Sequence, residues 1–208
     1  MSILIVILIT NILPKPLELA LLDGGHGDRR LLTTPHRKSI LLEPGESYIS
    51  KGKKYDIGEK TVLPYLLDKG IGKIDLLVLS HLDSDHIGGF NSIINSLKVN
   101  KVGISINNLV KHKGKDIEKM IEKKSEKVYL KKGKKFSIDG VNFTILSPNK
   151  KETVDDENND SIVMLMEYEG VKALFMGDME SEAEEELLTQ FNHLDIDILK
   201  AGHHGSIT

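Results

Sequence analysis

Nine consecutive residues constrain this chain more than any other stretch: His81-Leu82-Asp83-Ser84-Asp85-His86-Ile87-Gly88-Gly89. Positions 81 to 86 carry two imidazoles and two carboxylates, directly after the apolar run Leu76-Leu77-Val78-Leu79. Packing does not call for such a density of polar side chains at the end of a hydrophobic strand. On a loop leaving a strand, alternate positions 81, 83 and 85 project to one side, and His86 turns inward as a helix begins near the Gly-Gly pair. Four ligand-type side chains then converge on one small volume, as a metal site requires. The alternative is a polar turn whose Asp residues cap the helix and whose His residues are solvated.

Composition narrows the chemistry. The chain has no cysteine, which excludes disulfides, thiolate metal sites and a cysteine nucleophile, so any metal is held by imidazole and carboxylate. Its 208 residues, 39% hydrophobic and 28% charged, fit one globular domain with a real core. A formal charge of -3 gives no global attraction to polyanions, so any such affinity has to be local. The apolar Ile3 to Leu13, ending at Pro14-Lys15-Pro16, is too short to span a bilayer alone and lacks the marks of a secretory signal. It reads either as a buried strand or as the end of a longer membrane segment. Residues 1-16 are accordingly set apart from a domain over 17-208.

No repeat or low-complexity linker divides the chain. Strands are expected at 17–22, 39–43, 74–80, 99–106, 127–130, 136–138, 141–146, 161–168, 172–176 and 195–199. Helices are expected at 61–69, 86–97, 115–124 and 180–191. Strands grouped into meanders and flanked by helices predict helix-covered sheets in a layered α/β or α+β domain. Two further strands end in ligand-type residues. Gly177-Asp178 follows Lys172 to Met176, and Gly202-His203-His204-Gly205-Ser206 follows Ile196 to Leu199. Alone, Asp178 reads as a helix cap and the His pair as a loose tail. Three strands ending in His or Asp point instead to one shared sheet edge.

The ordered motifs also resemble a known family. His-x-Asp-x-Asp-His-x-Gly-Gly, then Asn158-Asn159-Asp160-Ser161 before a strand, Gly177-Asp178 after one, and finally His203-His204-Gly205-Ser206 resemble the metallo-β-lactamase superfamily. Asp83, where many members carry a second His, is similar to the hydrolase domain at the C-terminal end of the DNA-internalisation competence (ComEC) family. The likeness runs from Leu17 to Ser206. Asp23-Gly24-Gly25-His26-Gly27-Asp28 resembles that family's opening Asp-Val-Gly-Gln-Gly-Asp, and Met1 to Leu13 resembles the end of the membrane helix that precedes the domain.

The resemblance implies an α+β (αββα sandwich) fold that binds two divalent metal ions. His81 and Asp83 would hold one ion, Asp85 and His86 the other, with Asp178 bridging. His203 or His204 would complete the second site, His203 being preferred because it directly follows Gly202. No His occurs between His112 and His193, so Asn159 or Asp160 would take the place of a missing ligand. Asp83 or Asp85 would orient the attacking water, while Asp23, His26 and Asp28 would support metal or substrate. A carboxylate-rich set moves the balance toward Mn²⁺, with Zn²⁺ as the other choice.

The function implied is a dinuclear phosphodiesterase or nuclease acting on DNA during its uptake. The domain would stand beside a membrane channel domain, on the extracytoplasmic face, or be soluble and cytoplasmic if residues 1-16 form a core strand. Two other readings are a catalytically weak DNA-binding or assembly module and a small-molecule metallohydrolase. A lysine-rich region from Lys111 to Lys135 offers cations to phosphates, but interleaved Glu118, Glu122 and Glu126 favour an ordinary ion-paired helix. The sequence departs from the family at Gly24 and His26, and at Leu42-Glu43-Pro44-Gly45, where an Asp-Gly-Gly turn is usual. It also ends at Thr208, where further strands and a helix usually follow, so a C-terminally truncated form is expected.

Overall fold

The computed structural model describes residues 15–22, 29–110, 112–148, 158–191 and 194–206. The apolar segment before Lys15 and the loop bearing Asp23, His26 and Asp28 lie outside them. Among the described residues, thirteen strands form two large sheets and one hairpin. The first sheet contains β1 (Glu18–Leu21), β2 (Arg30–Thr33), β3 (Ser39–Leu42), β6 (Lys73–Leu79), β7 (Lys98–Ile104) and β8 (Glu126–Tyr129), in that order. The chain enters as an antiparallel meander, and β3, β6, β7 and β8 then run parallel. The second sheet runs β13 (Ile198–Lys200), β12 (Val171–Phe175), β11 (Val163–Tyr168), β10 (Val141–Ser147) and β9 (Lys135–Ile138), antiparallel except for the parallel β12 and β13. The hairpin joins β4 (Ser47–Ser50) to β5 (Lys53–Asp56).

The layering follows from side-chain alternation. In β6, Leu77 and Leu79 pack toward the helices Leu63–Asp68, Phe90–Ser96 and His112–Lys124, while Leu76 and Val78 pack toward the second sheet. In β11, Met164 and Met166 face the first sheet, while Val163 and Leu165 join the cluster under the helix Ser181–Gln190. Helix, sheet, sheet and helix are therefore held by three apolar seams, as the αββα expectation has it. A fully buried leucine such as Leu77 contributes roughly 2–3 kcal/mol to such a seam.

The structure refines the expected elements. The helix expected over 86–97 is split into Ser84–Ile87 and Phe90–Ser96 because Gly88 and Gly89 press against the base of the hairpin. Gly89 N–H donates to Gly45 O at 2.8 Å. Strand β2, the β4–β5 hairpin and the short helix Ile106–Val110 do not stand out in the sequence. Each is built from segments four or five residues long, below the length at which periodicity discriminates. In the lysine-rich middle of the chain the described ion pairs gather on Lys119 and Lys127, with Lys101 just before it. Lys127 binds Glu118 and Glu122, Lys119 binds Asp116, and Lys101 binds Glu126.

A polar clamp ties the sheets together at the end remote from the ligand loops. His36 N–H donates to Asp139 Oδ2 at 2.8 Å, and His36 Nδ1 lies 2.5 Å from Oδ1. The Thr34 hydroxyl, with the His36 contacts, holds the Asp139 carboxyl below the usual carboxylate range against a smaller opposing effect of burial. A carboxylate depressed on folding contributes stability above its unfolded pKa and loses it as pH falls through the folded one. Asp139→Asn is therefore expected to lower the thermal midpoint at neutral pH by about 2 °C. Parallel melts from neutral pH into acid should show that gap close below roughly pH 4; a gap that persists in acid would assign the loss to something other than the carboxylate.

Candidate metal centre

The ligand loops meet because their strands run in parallel. β3 leads to Glu43, β6 to His81, β12 to Asp178, and β13 to a tight turn at Gly202–Gly205. β11 is antiparallel to β12, so its preceding loop, with Asn159 to Ser161, enters at the same edge. Ile162 N–H donates to Ser80 O at 3.1 Å and joins the two sheets there.

His81 is wholly buried. Its Nδ1 lies 2.9 Å from Ser80 Oγ and 3.5 Å from Ser161 Oγ, which fixes the ring. Its Nε2 is buried without a hydrogen-bond partner and points toward Asp83, 4.0 Å from a carboxylate oxygen. A buried imidazole nitrogen left open while its other nitrogen is held by hydroxyls is the arrangement expected of a metal ligand. His86, also fully buried, presents Nε2 to Asp178 Oδ2 at 3.1 Å and to Asp85 Oδ2 at 3.5 Å. His204 Nε2 is 3.3 Å from Asp178 Oδ2 and 3.9 Å from Asp85 Oδ2.

These atoms form two overlapping groups able to hold a cation, one of Asp85, His86, Asp178 and His204, the other of His81, Asp83 and Asp85. Both groups contain Asp85, whereas the family resemblance gives the bridging place to Asp178. The structure also separates the paired histidines. Both have positive φ, 40° for His203 and 55° for His204, and this tight turn sends consecutive rings to different sides. The structure brings His204 to the cluster and not the expected His203, whose Nδ1 lies 3.5 Å from Glu180 Oε1. Asn159 and Asp160 stand outside both groups. Asn159 Oδ1 accepts the Glu180 N–H at 3.0 Å, and buried Asp160 accepts from Asn107 Nδ2 at 2.7 Å. Asn159 Oδ1 and Asp160 Oδ1 thus tie this loop to Glu180 and to the helix Ile106–Val110, and the structure does not bring either residue into the two groups.

Charge is concentrated here. Burial pushes His81 down to about 4, and the positive His86, with its ring centroid 4.0 Å away, adds to the effect. Burial would also lower His86, but the carboxylates of Asp178, Asp85 and Glu43 outweigh it and hold the imidazole up at about 12. Burial would raise Asp178, yet hydrogen bonding and charge from His86, with the nearby Lys200, hold it well below the usual carboxylate range. The proton on His86 thus stands where a cation would serve the same carboxylates. The donor set of imidazoles and carboxylates, with the open Nε2 of His81, fits a pair of divalent ions.

Two residues that sequence reasoning does not assign to the site support it. Glu43 is buried and adopts φ 62°, a strained backbone for a non-glycine residue. Its Oε1 accepts the Ser80 N–H at 3.1 Å, and its Oε2 lies 3.5 Å from His86 Nδ1, so one carboxylate orients both ligand-bearing segments. Lys200 donates to Gly177 O at 2.5 Å and to Asp178 Oδ1 at 3.2 Å, which leaves Asp178 Oδ2 toward the cluster. Glu43 stands out in the sequence only as a departure from the usual turn. Lys200 gives no sign there beyond being a charged residue at the end of an apolar strand.

Fold and cluster together define a metallohydrolase-type scaffold. The chain belongs to the metallo-beta-lactamase superfamily, whose family model matches residues 22–208. It is 31% identical over 198 residues to ComE operon protein 3 of Bacillus subtilis (strain 168), covering 91% of this chain and 25% of that protein. It is 32% identical over 187 residues to Competence protein ComA of Neisseria gonorrhoeae, covering 89% and 23% respectively. The chain thus spans about a quarter of the length of these curated relatives. Among solved structures, the metallo-beta-lactamase HARLDQ motif mutant S60 of Cronobacter sakazakii is similar, with a TM-score of 0.62 at 14% identity, over 88% of this chain and 74% of that one. At that identity the likeness bears on the fold alone. Among the described residues, no helix is long and apolar enough to cross a membrane.

Proposed function

We propose that this domain is a two-metal phosphodiesterase that cleaves DNA strands in connection with DNA uptake. The observation that carries the reading is the pair of ligand groups joined through Asp85 at a single sheet edge. Two sites sharing a carboxylate suit a reaction in which charge develops on an attacking and a leaving oxygen at once. When bound, paired divalent ions lower the pKa of water and stabilise charge on both of those oxygens. The relatives named as competence proteins support a role in handling DNA. Three carboxylates to three imidazoles make the set harder than an imidazole-dominated one, which moves the balance toward Mn²⁺ and leaves Zn²⁺ well suited.

The protein's own groups divide the remaining work. Glu43 and the hydroxyls of Ser80 and Ser161 fix the two buried imidazoles, so the ligand atoms are oriented before any substrate arrives. Lys200 restricts Asp178 to its Oδ2 face. Asp83 and Asp85 are only partly buried, and either can accept the proton of an attacking water from the solvent side. The place that this reading gives the domain is beside a membrane channel domain of a longer protein, facing incoming DNA.

Asp85→Asn keeps the side-chain shape and removes the charge shared by both groups. Cleavage of end-labelled single-stranded DNA with Mn²⁺ or Zn²⁺ is expected to fall by about a thousandfold in this variant, and to stop in the wild type on adding EDTA. Cleavage that survives both treatments would overturn the reading. Salt-sensitive binding without turnover in the fully loaded wild type would turn it toward a binding or assembly module.

A further inference from the structure

The β4–β5 hairpin carries side chains that the metal chemistry does not use. Tyr48 and Tyr55 are directly opposed across the strands, their rings stacked with centroids 5.4 Å apart and planes within 9°. Lys60 places Nζ 3.9 Å from the Tyr55 ring centroid. Tyr48 is 44% exposed and forms the open end of this cation and ring column. Lys51, Lys53 and Lys54 are exposed around the hairpin, against exposed Glu59, while buried Asp56 is bonded to Ser92 Oγ and the Glu59 N–H and lies 3.8 Å from Lys54 Nζ, a pair that a phosphate would have to share. Ile49 is 78% exposed on the other face.

The hairpin is fastened to the metal-site loop. A side chain at Gly88 would meet Ser47 N at 2.0 Å, and Gly89 N–H donates to Gly45 O at 2.8 Å. Tyr48 follows directly on Ser47, and Gly88 lies two residues past His86. Rings offered for stacking, ringed by ammonium groups, are the two components with which proteins hold single strands without reading their sequence. Charge excludes a plain apolar partner as the best match, and ring exposure excludes a role limited to counter-charge.

We propose that the hairpin Ser47–Asp56 is a stacking platform for a single nucleic-acid strand, in which an unpaired base lies on Tyr48 while Lys51, Lys53, Lys54 and Lys60 meet the flanking phosphates. Because the hairpin base is fastened to the ligand turn, the platform holds a strand on the side from which Gly88 and Gly89 lead to the metal centre. It therefore favours single-stranded over duplex substrate, because a paired base cannot reach the ring. This rests on the nucleic-acid reading of the site and specifies the form of substrate.

The test is fluorescence anisotropy of labelled oligothymidylate with the complete chain in EDTA, so that binding is read without turnover. Tyr48→Ala is expected to weaken binding about tenfold, and Tyr48→Phe to retain it within about twofold. An abasic oligonucleotide of the same length should bind wild type and Tyr48→Ala alike. Replacing the four lysines by glutamine should reduce the slope of log affinity against log salt by about 0.7 for each phosphate that is no longer neutralised. Unchanged affinity in Tyr48→Ala with a native thermal midpoint, or equal sensitivity of the abasic strand, overturns the proposal. So does self-association that Tyr48→Ala abolishes in the absence of DNA, which would assign the hairpin to a second copy of the chain. Should Tyr48→Ala fail to fold, the wild type's comparison of thymidylate with abasic strand and the salt slope of the four-lysine variant decide the matter. Turnover of bis(p-nitrophenyl) phosphate by metal-loaded wild type, a diester without a base, tests the phosphodiesterase reading independently. Its absence would sink that reading and leave the platform result standing.

Discussion

Asp178→Ala is expected to abolish the thermal stabilisation that Mn²⁺ or Zn²⁺ gives the wild type. A ligand at about a hundred times its Kd stabilises a fold by roughly 2.7 kcal/mol, which for a chain of this size corresponds to a rise of about 8 °C in the midpoint. Asp178 is 3% exposed and contacts His86, His204 and Lys200, so its loss removes the carboxylate around which one ligand group is arranged. The metal-free variant should also melt lower than metal-free wild type. Truncation removes one of the three carboxylates around His86 and one of the partners of Lys200, a loss of about 2 kcal/mol for hydrogen bonds to charged groups. Differential scanning fluorimetry with and without each ion reads both effects. A variant that keeps the full metal-dependent rise would remove Asp178 from the centre.

Gly88→Ala is expected to destabilise the fold without touching a ligand. The added Cβ would lie 2.0 Å from Ser47 N, 2.5 Å from Glu46 C and 2.5 Å from Ser84 O. All three are backbone atoms, so no side chain can rotate away. The Gly88 backbone has φ -54°, which any residue adopts, so the cost is steric and not conformational. Forcing the hairpin base away from the ligand turn costs about 3 kcal/mol, a drop of roughly 9 °C. Gly72→Ala is the control: its Cβ would meet nothing within 4 Å, and its midpoint should stay within about 1 °C of wild type. Equal midpoints for the two variants would mean that the hairpin does not brace the ligand turn.

The ligand set is legible in the sequence because four of its members lie within six positions of one another, and the rest fall at the ends of apolar strands. Chemistry concentrated in sequence needs no tertiary information to be seen. The αββα layering is legible from strands whose inward and outward faces are both apolar, as in Leu76-Leu77-Val78-Leu79, which has to be covered on both sides. Contacts between distant parts of the chain are not. Glu43 acts on His86 from 43 positions earlier, and Lys200 holds Asp178 from 22 positions later. The choice between His203 and His204 turns on two positive φ angles in one tight turn, which residue types alone do not encode. Asn159 and Asp160 occupy the right loop, but their oxygens bond to Glu180 N–H and Asn107. The Tyr48 and Tyr55 pair exists only through the hairpin register, set by a Lys51-Gly52 turn that the lysine content masks.

The most direct test of the central claim is anomalous diffraction from crystals of the whole chain soaked in Mn²⁺ and, separately, in Zn²⁺. Two peaks are predicted, one among Asp85, His86, Asp178 and His204, and one among His81, Asp83 and Asp85, with His203 touching neither. A single peak, no peak, or peaks away from Asp85 would contradict a two-metal centre built on that shared carboxylate.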